Sequence, residues 1–527
     1  MKERYDVVVV GGGIAGLVAS AYCARSGCSV LLCEQQEKLG GLVNSFERDG
    51  FIYDQGIRAI ENSGIIFPML KQLDIEIPWV RSPVTLAVGD EKIVVESKES
   101  FVGYQAMLEN LYPQNKCDIA AIMEEIKKIT TYMDVLYGID NPMFLDSYDD
   151  FSYVRKTLLP WLFKYMKTIG KIGKLNEPVA EYLQKFTNNQ ALIDIIAQHF
   201  FADTPTFFAL SYFGLYLEYQ YPMGGTGALP LALEKYLRSH DVDILLNYPV
   251  TKIDAEQQTI EGRIKYDHLI WAADLKQLYR ILKTNPLRDP KMQNTIEKTS
   301  NLLETKHGGD SIFSHFVATD LPPSYFKERS THHLFYTPNT KGLSTVDIKA
   351  LDPTIHDKQV IKEYLKAYLE TTTYEISIPV LRDPNLAPPG KTAIIISTLA
   401  SYELFKRIEN DGWYEEAKQF SQEHIIKTLA SSLYEGLEDH ILDAFTSTPR
   451  TIEKLTSNSE GAITGWAFTE GEVPVIHSMK KITKSVITPL THISQAGQWS
   501  FSPSGLPISV MTGKLVAGRA LKELGKK

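Results

Sequence analysis

The chain has four cysteines in 527 residues, too few for a disulfide framework. Cys23, Cys28 and Cys33 fall close together and Cys117 stands far from them, none with metal-ligand spacing. Reduced thiols and a cytoplasmic setting are the expectation. No uncharged apolar run reaches the roughly 18–20 residues that cross a bilayer. Strand character begins at residue 5, which is expected to leave no room for a signal peptide. Positive charge is scarce: 55 Lys and Arg against 64 Asp and Glu leave a net charge of −9, which argues against general nucleic-acid binding. Internal repeats and low-complexity tracts are absent. The 12 histidines are scattered, and His332-His333 is the one adjacent pair. With no cysteine or carboxylate pattern beside it, that pair is expected to be a solvated loop pair rather than a metal site. The remaining composition, 44% hydrophobic and 23% charged, is ordinary for globular proteins, and the length suggests two or three domains.

What is present is concentrated at the start. Tyr5-Asp6-Val7-Val8-Val9-Val10 has the character of a buried parallel strand, and Gly11-Gly12-Gly13-Ile14-Ala15-Gly16 follows at once as G-x-G-x-x-G. Leu17 to Ser26 is predicted as a helix and Ser29 to Cys33 as a second strand, with Glu34 at its end. Gly11 permits the tight turn, Gly13 lets backbone approach a pyrophosphate, and Gly16 lets the helix pack close to the sheet. The amides and positive dipole end of the helix would receive the pyrophosphate. Glu34 would accept from a ribose diol and repel a 2′-phosphate, which disfavours NADP.

Further along, Phe51 to Gly56 predicts a short strand and turn, and residues 101–200 carry helical periodicity. From 221 the pattern returns to α/β. A glycine loop precedes a helix over Ala228 to Ser239. Short strands are expected over Asp243 to Leu246, Pro249 to Asp254 and Thr259 to Ile264, with a buried strand meeting a turn through His268 to Asp274. Ser311 to Val317 and Thr392 to Thr398 suggest a sheet, residues 413–445 a helical stretch, and the tail from Ser494 a glycine-bearing loop and helix.

These residues together resemble the phytoene desaturase and carotenoid isomerase group, whose architecture the retinol saturases share. Glu34 to Ser45, containing Gly40-Gly41, resembles that group's FAD-contacting loop, and Asp54-x-Gly56 the motif after it. Tyr221-Pro222-Met223-Gly224-Gly225 resembles its Y-P-x-G-G segment, and Asp383-Pro384-Asn385-Leu386-Ala387-Pro388-Pro389-Gly390 its D-P-x-x-A-P-x-G stretch. Thr448-Pro449-Arg450-Thr451 resembles its T-P-x-T segment. Gly497-Gln498-Trp499, Pro503, Gly505 and Gly513 resemble its closing FAD motif. The matches run in order from residue 5 to about 520. Three departures stand out: Leu42 replaces a common arginine, Gln498 an acid near the ribityl chain, and Ser504-Gly505 a glycine pair.

The resemblance implies an α/β fold with FAD as cofactor. A Rossmann-like FAD-binding domain would be built from residues 1–80, 221–285 and 486–527. A helical, membrane-facing substrate region would occupy 81–220, and a mixed-sheet substrate domain 286–485. It implies cofactor contacts from Gly11, Gly13, Ile14, Ala15, Gly16, Glu34, Gln35, Gly40, Gly41, Leu42, Val250, Ala272, Gly497, Gln498, Gly505, Leu506 and Pro507. Val250 is expected in a strand, against the adenine. Leu506-Pro507-Ile508-Ser509 has the form of a helix start with proline in its first turn and Ser504 as cap, its dipole directed at the flavin.

The expected partner is an apolar small molecule, and oligomeric state is left open. No side chain stands out as a general base, which fits hydride transfer to or from an unactivated hydrocarbon. Desaturation, saturation and isomerisation share the scaffold. A flavin amine oxidase is the alternative, and a non-catalytic FAD protein a third reading. Phe151 to Asn176 carries Arg155, Lys156, Lys164, Lys167, Lys171 and Lys174 with no acidic residue, among interleaved Leu, Trp, Phe and Ile. That pattern fits an interfacial membrane helix, and equally a core-packed helix with a solvated lysine face.

Overall fold

The computed structural model describes residues 2–145, 151–283, 289–468 and 473–526. The valine run of Arg4–Val10 (β1) is buried on both faces, as a central parallel strand requires. It lies between Val30–Cys33 (β2) and Ile264–Trp271, parallel to both. Asp243–Leu245 continues the sheet beyond β2, and Ile493–Gln495 pairs with the end of Ile264–Trp271, again in parallel. The registers Val10↔Cys33, Val10↔Trp271 and Trp271↔Gln495 bring these carboxyl ends to one edge. In open α/β sheets that edge is where ligands bind.

Helix Ile14–Arg25 (α1) follows β1 and packs on the closing helix Leu506–Glu523. Both contacts demand small residues. A Cβ on Gly16 would fall 1.9 Å from the Gly11 carbonyl oxygen, and one on Gly513 2.7 Å from that of Ala15. Gly11 itself turns with φ +103° beneath the Ala272 carbonyl.

Two expected strands here are shorter than their sequence suggests. Glu261 and Gly262 adopt φ of 51° and 67°. They turn Thr259–Ile260 back antiparallel onto Ile264–Trp271, so Thr259 to Ile264 is a hairpin corner. Only Ile253–Asp254 of the 249–254 stretch is strand, and Val250 lies in the segment leading to it.

A second, seven-stranded mixed sheet runs in the order Ile441–Ser447, Ser311–Thr319, Thr392–Ala400, Tyr374–Ser377, His333–Thr337, Val84–Val88, Glu91–Val95. Its pairs are antiparallel except His333–Thr337 with Val84–Val88. The end of the stretch expected as helix, residues 441–445, belongs to its edge strand Ile441–Ser447: Tyr414–Ala430 ends the helix, and the chain returns along Ser311–Thr319. A small sheet of Ile60–Glu61, Tyr219–Pro222 and Trp79–Arg81 joins the sheets to a helical layer between residues 100 and 215.

Within that layer, Leu159–Ile172 docks through Trp161, Thr168 and Ile169, with the Trp161 indole donating to the Val135 carbonyl at 2.6 Å. Its other face leaves Leu159, Leu162, Phe163 and Met166 exposed among the lysines, and Phe163 keeps 76% of its surface in solvent. No helix among the described residues is long and apolar enough to cross a membrane.

Candidate active site

A cavity of about 790 Å³ opens at the carboxyl edge of the parallel sheet and runs on to the mixed sheet. Loops leaving four parallel strands line its first part. Gly11, Gly13, Ile14 and Ala15 follow β1; Glu34 and Gln35 follow β2. Ala272 follows Ile264–Trp271, and Gly497 and Gln498 follow Ile493–Gln495. Gly40, Gly41, Leu42, Val250, Gly505 and Leu506 complete this wall. Gly16 and Pro507 stand behind it, Gly16 against the Gly11 carbonyl and Pro507 buried in the first turn of the closing helix.

The local geometry suits a nucleotide. Gly13 is the N-cap of α1 and no side chain caps the helix, so no side chain satisfies its first-turn amides beside the cavity-lining Gly13, Ile14 and Ala15. A Cβ on Gly13 would meet nothing within 4 Å. Glu34 accepts from the Gly12 amide at 2.7 Å and the Gln36 amide at 2.9 Å, one on each oxygen. Each oxygen keeps a second acceptor site for a diol. Burial pushes the Glu34 carboxyl up, and those amides oppose it.

Ser504 does not cap the closing helix. Gly505 is the N-cap, in extended conformation, which places Ser504 one residue too early. Its hydroxyl is buried in the cavity wall without a partner among the described residues.

Behind the wall the resemblance motifs meet. Asp54 accepts from the Tyr221 hydroxyl at 2.8 Å, the Thr226 amide at 2.8 Å, the Thr226 hydroxyl at 2.9 Å and the Ser45 hydroxyl at 3.1 Å. The Arg382 guanidinium lies 3.8 Å above the Tyr221 ring and donates to the Arg58 carbonyl at 2.6 Å. Asp383 accepts from the Gly224 amide at 2.9 Å. A Cβ on Gly56 would strike the Leu42 carbonyl at 2.0 Å. The motifs are thus one buried scaffold for the loop at Gly40 to Ser45.

The far part of the cavity is an aromatic chamber walled by Phe200, Phe208, Tyr212, Tyr216, Tyr219 and Phe335. It holds titratable side chains that sequence reasoning missed: Arg58, Glu61, His333 and Glu375. His333 is no solvated loop residue. It lies in His333–Thr337 between two strands, is buried, and its Nε2 stands 2.9 Å from Glu375 Oε1. Burial keeps the imidazole neutral, so Nε2–H donates to the carboxylate. Burial also pushes Glu375 up, but the His333 hydrogen bond and the charges of Arg58 and Arg382 prevail and hold it below the usual range. Arg58, 2% exposed, donates to the Asp54 carbonyl at 2.6 Å and the Ser397 hydroxyl at 2.9 Å. Glu61 is the opposite case: burial pushes its carboxyl up to about 7. Among the described residues, no group of three or more His, Cys, Asp or Glu is arranged to hold a metal ion.

Comparison with known proteins agrees with this geometry. Residues 14–521 match the family described as flavin containing amine oxidoreductase. Prolycopene isomerase 2, chloroplastic, from an Oncidium hybrid cultivar is 24% identical over 558 positions, covering 99% of this chain and 85% of its own. An inactive all-trans-retinol 13,14-reductase of Danio rerio is 23% identical over 450 positions, covering 80% and 70%. A solved oxidoreductase from Methanosarcina mazei shares the fold at a TM-score of 0.60 and 15% identity, covering 98% of this chain and 100% of that one. The chain belongs to the flavin-containing amine oxidoreductase family and is an FAD-dependent oxidoreductase.

Proposed function

We propose that this enzyme acts on carbon–carbon double bonds of a long apolar substrate of carotenoid or isoprenoid type, as a desaturase, saturase or redox-neutral isomerase. The observation that carries the reading is the aromatic chamber continuous with the nucleotide cradle. Such walls offer a conjugated chain apolar burial and ring contacts at little polar cost. The curated relatives named for prolycopene and all-trans-retinol support the same class.

FAD, when bound, supplies hydride transfer to or from carbon. The Gly13 N-cap amide and the first-turn amides of Ile14 and Ala15 would hold its pyrophosphate, Glu34 the adenosine ribose, and Gln35 and Val250 the adenine end. Gly40, Gly41, Leu42, Ala272, Gly497 and Gln498 would line its length. Gly505, Leu506 and Pro507 would set the closing helix dipole toward the flavin. Gly11 and Gly16 shape the turn from behind. The FAD-binding unit is read as residues 1–80, 221–285 and 486–527, since each of these segments contributes strands to the parallel sheet. Helical substrate residues 81–220 and mixed-sheet residues 286–485 complete the division.

A peripheral membrane contact through 151–176 belongs to this reading. Phe151, Leu159, Leu162, Phe163 and Met166 are exposed beside Arg155, Lys156, Lys164, Lys167, Lys171 and Lys174, a face suited to anionic lipid. Combining Lys164→Glu, Lys167→Glu and Lys171→Glu should abolish flotation with anionic liposomes. Unchanged flotation, or none by the parent, ends that part of the reading.

One observation favours flavin amine oxidation instead: ionised Glu375 facing aromatic rings could receive a substrate ammonium. Anaerobic titration of the holoenzyme with polyenes and amines separates the two. Flavin bleaching, or turnover of a polyene without amine-dependent peroxide, is expected. Bleaching by amines alone, with peroxide on admitting air, would establish the second reading.

A further inference from the structure

Glu61 is an anomaly within the chamber. Its strand, Ile60–Glu61, sits where the closing helix begins, and a Cβ on Gly505 would lie 3.9 Å from Glu61 Oε1. The carboxyl forms no ion pair or side-chain hydrogen bond with any described residue, and its own amide is its one hydrogen-bonding partner. The surface it retains opens onto the cavity. An isolated carboxyl is an expensive wall for an apolar chamber. Arg58, by contrast, is tied to Asp54 and Ser397, and Glu375 to His333.

Glu61 also has a counterpart. It pairs in register with Tyr219, whose ring stacks on His333 at 5.5 Å and 12°, and His333 hydrogen-bonds Glu375. The chamber wall therefore runs Glu61, Tyr219, His333, Glu375. One end is a carboxyl without a counter-ion, the other a carboxylate held ionised by its neighbours. Two carboxyl groups in one cavity with opposed environments form the pattern of an acid and its electrostatic partner.

We propose that Glu61 is the acid that delivers a proton to, and recovers it from, a chain carbon of the unsaturated substrate, while Glu375 faces the positive charge that results. This rests on the polyene reading above. In the forward step the Glu61 O–H bond breaks and the proton adds to one end of a double bond, its π pair forming the new C–H bond. The product is a cation delocalised along the chain and a Glu61 carboxylate. Rotation about the former double bond and loss of a proton from that carbon to Glu61 restore the double bond and the neutral acid. Atoms and electrons balance without an oxidant. Burial supports the assignment, because it keeps Glu61 protonated to about neutral pH. The titratable groups bearing on Glu61 are Glu218, whose charge raises it further, and the hydroxyls of Tyr137, Tyr212 and Tyr219. All three hydroxyls are themselves driven up by burial and stay neutral.

The test uses the FAD-loaded enzyme in deuterated water, with prolycopene and all-trans-retinol as probes. The parent product should carry solvent deuterium on a chain carbon, with turnover falling above about pH 7. Glu61→Gln should keep its flavin absorbance and stoichiometry but lose about 100-fold or more in turnover, together with the label. Glu61→Asp should recover part of both. Independently of turnover, the infrared carbonyl band of a protonated carboxyl should titrate near neutral pH in the parent and be absent from Glu61→Gln. A Glu61 that ionises in the ordinary carboxylate range overturns the proposal. So does a Glu61→Gln enzyme within about threefold of an active parent, far short of a general acid's contribution. A parent inert toward both polyenes overturns the substrate reading, and the proposal with it.

Discussion

Removing the Asp54 carboxylate by Asp54→Ala should destabilise the protein by about 4 kcal/mol, and the structure says where that figure comes from. Four donors converge on the carboxylate. Two are not left unmet after the change: the Thr226 hydroxyl reaches the Asn44 carbonyl at 3.2 Å, and the half-buried Ser45 hydroxyl can donate to water instead. The Thr226 amide and the Tyr221 hydroxyl lose their acceptor, and both residues have no solvent exposure. A buried donor left unmet costs about 1–3 kcal/mol, so two cost about 2–6. The buried guanidiniums of Arg58 and Arg382 also lose a neighbouring negative charge, which acts in the same direction. Asp54→Asn keeps one acceptor oxygen for the Thr226 and Ser45 donors and puts an NH2 donor where the other oxygen was, to which the Tyr221 hydroxyl can turn as acceptor, so its cost should be about 1–2 kcal/mol. Urea unfolding followed by circular dichroism at unchanged slope measures both. Flavin content should fall with Asp54→Ala, because Ser45 and the cavity-lining loop before it are held through this carboxylate. An Asp54→Ala protein within about 1 kcal/mol of the parent would refute the reasoning, since that is the range of substitutions that break nothing buried.

Gly16→Ala places a Cβ 1.9 Å from the Gly11 carbonyl oxygen. It should cost about 1–3 kcal/mol of overpacking and most of the bound flavin, read from the flavin-to-protein absorbance ratio. Glu61 has a raised folded pKa, so its contribution to stability is fully present below about 4.5 and is lost as pH rises through about 7. Glu61→Gln should therefore gain on the order of 3 kcal/mol relative to the parent between pH 5 and 8 in thermal unfolding, and a pH-independent difference would contradict the assignment. Ser504→Asp brings a charge to the cavity wall at the closing helix and should lower the flavin midpoint potential by tens of millivolts in a dye-coupled titration; no shift would contradict the dipole argument.

The nucleotide half of the site was legible because its chemistry is local and borne by backbone. A valine strand, a glycine turn and a helix adjacent in sequence are adjacent in space, and Glu34 is carried to the cavity by β2 alone. Glu61, His333 and Glu375 had no such signal. They come from three remote segments and meet only because Ile60–Glu61 pairs with Tyr219–Pro222 while His333–Thr337 pairs with Tyr374–Ser377. His332-His333 looked solvated because histidines are polar, yet the strand around it is buried throughout. Residues 441–445 looked helical because they follow a helix and are only partly buried in an edge strand, which blurs the alternation.

The same division explains which departures from the resembled family are tolerated. Leu42 stands where an arginine is common, yet what it presents to the scaffold is a carbonyl against Gly56. Gln498 replaces an acid, and its carbonyl is what a Cβ on Gly465 would strike, at 2.3 Å. Positions whose packing is made by backbone can change side chain without losing the cradle. Chamber positions cannot, because Glu61, His333 and Glu375 act through side-chain atoms whose burial and partners set their charge. Selection for a different substrate should therefore leave the glycines and Asp54 untouched and fall on Glu61, Tyr219, His333 and Glu375. Changing Glu375→Gln, which removes the anion but keeps an acceptor for His333, should alter substrate preference while leaving flavin content unchanged.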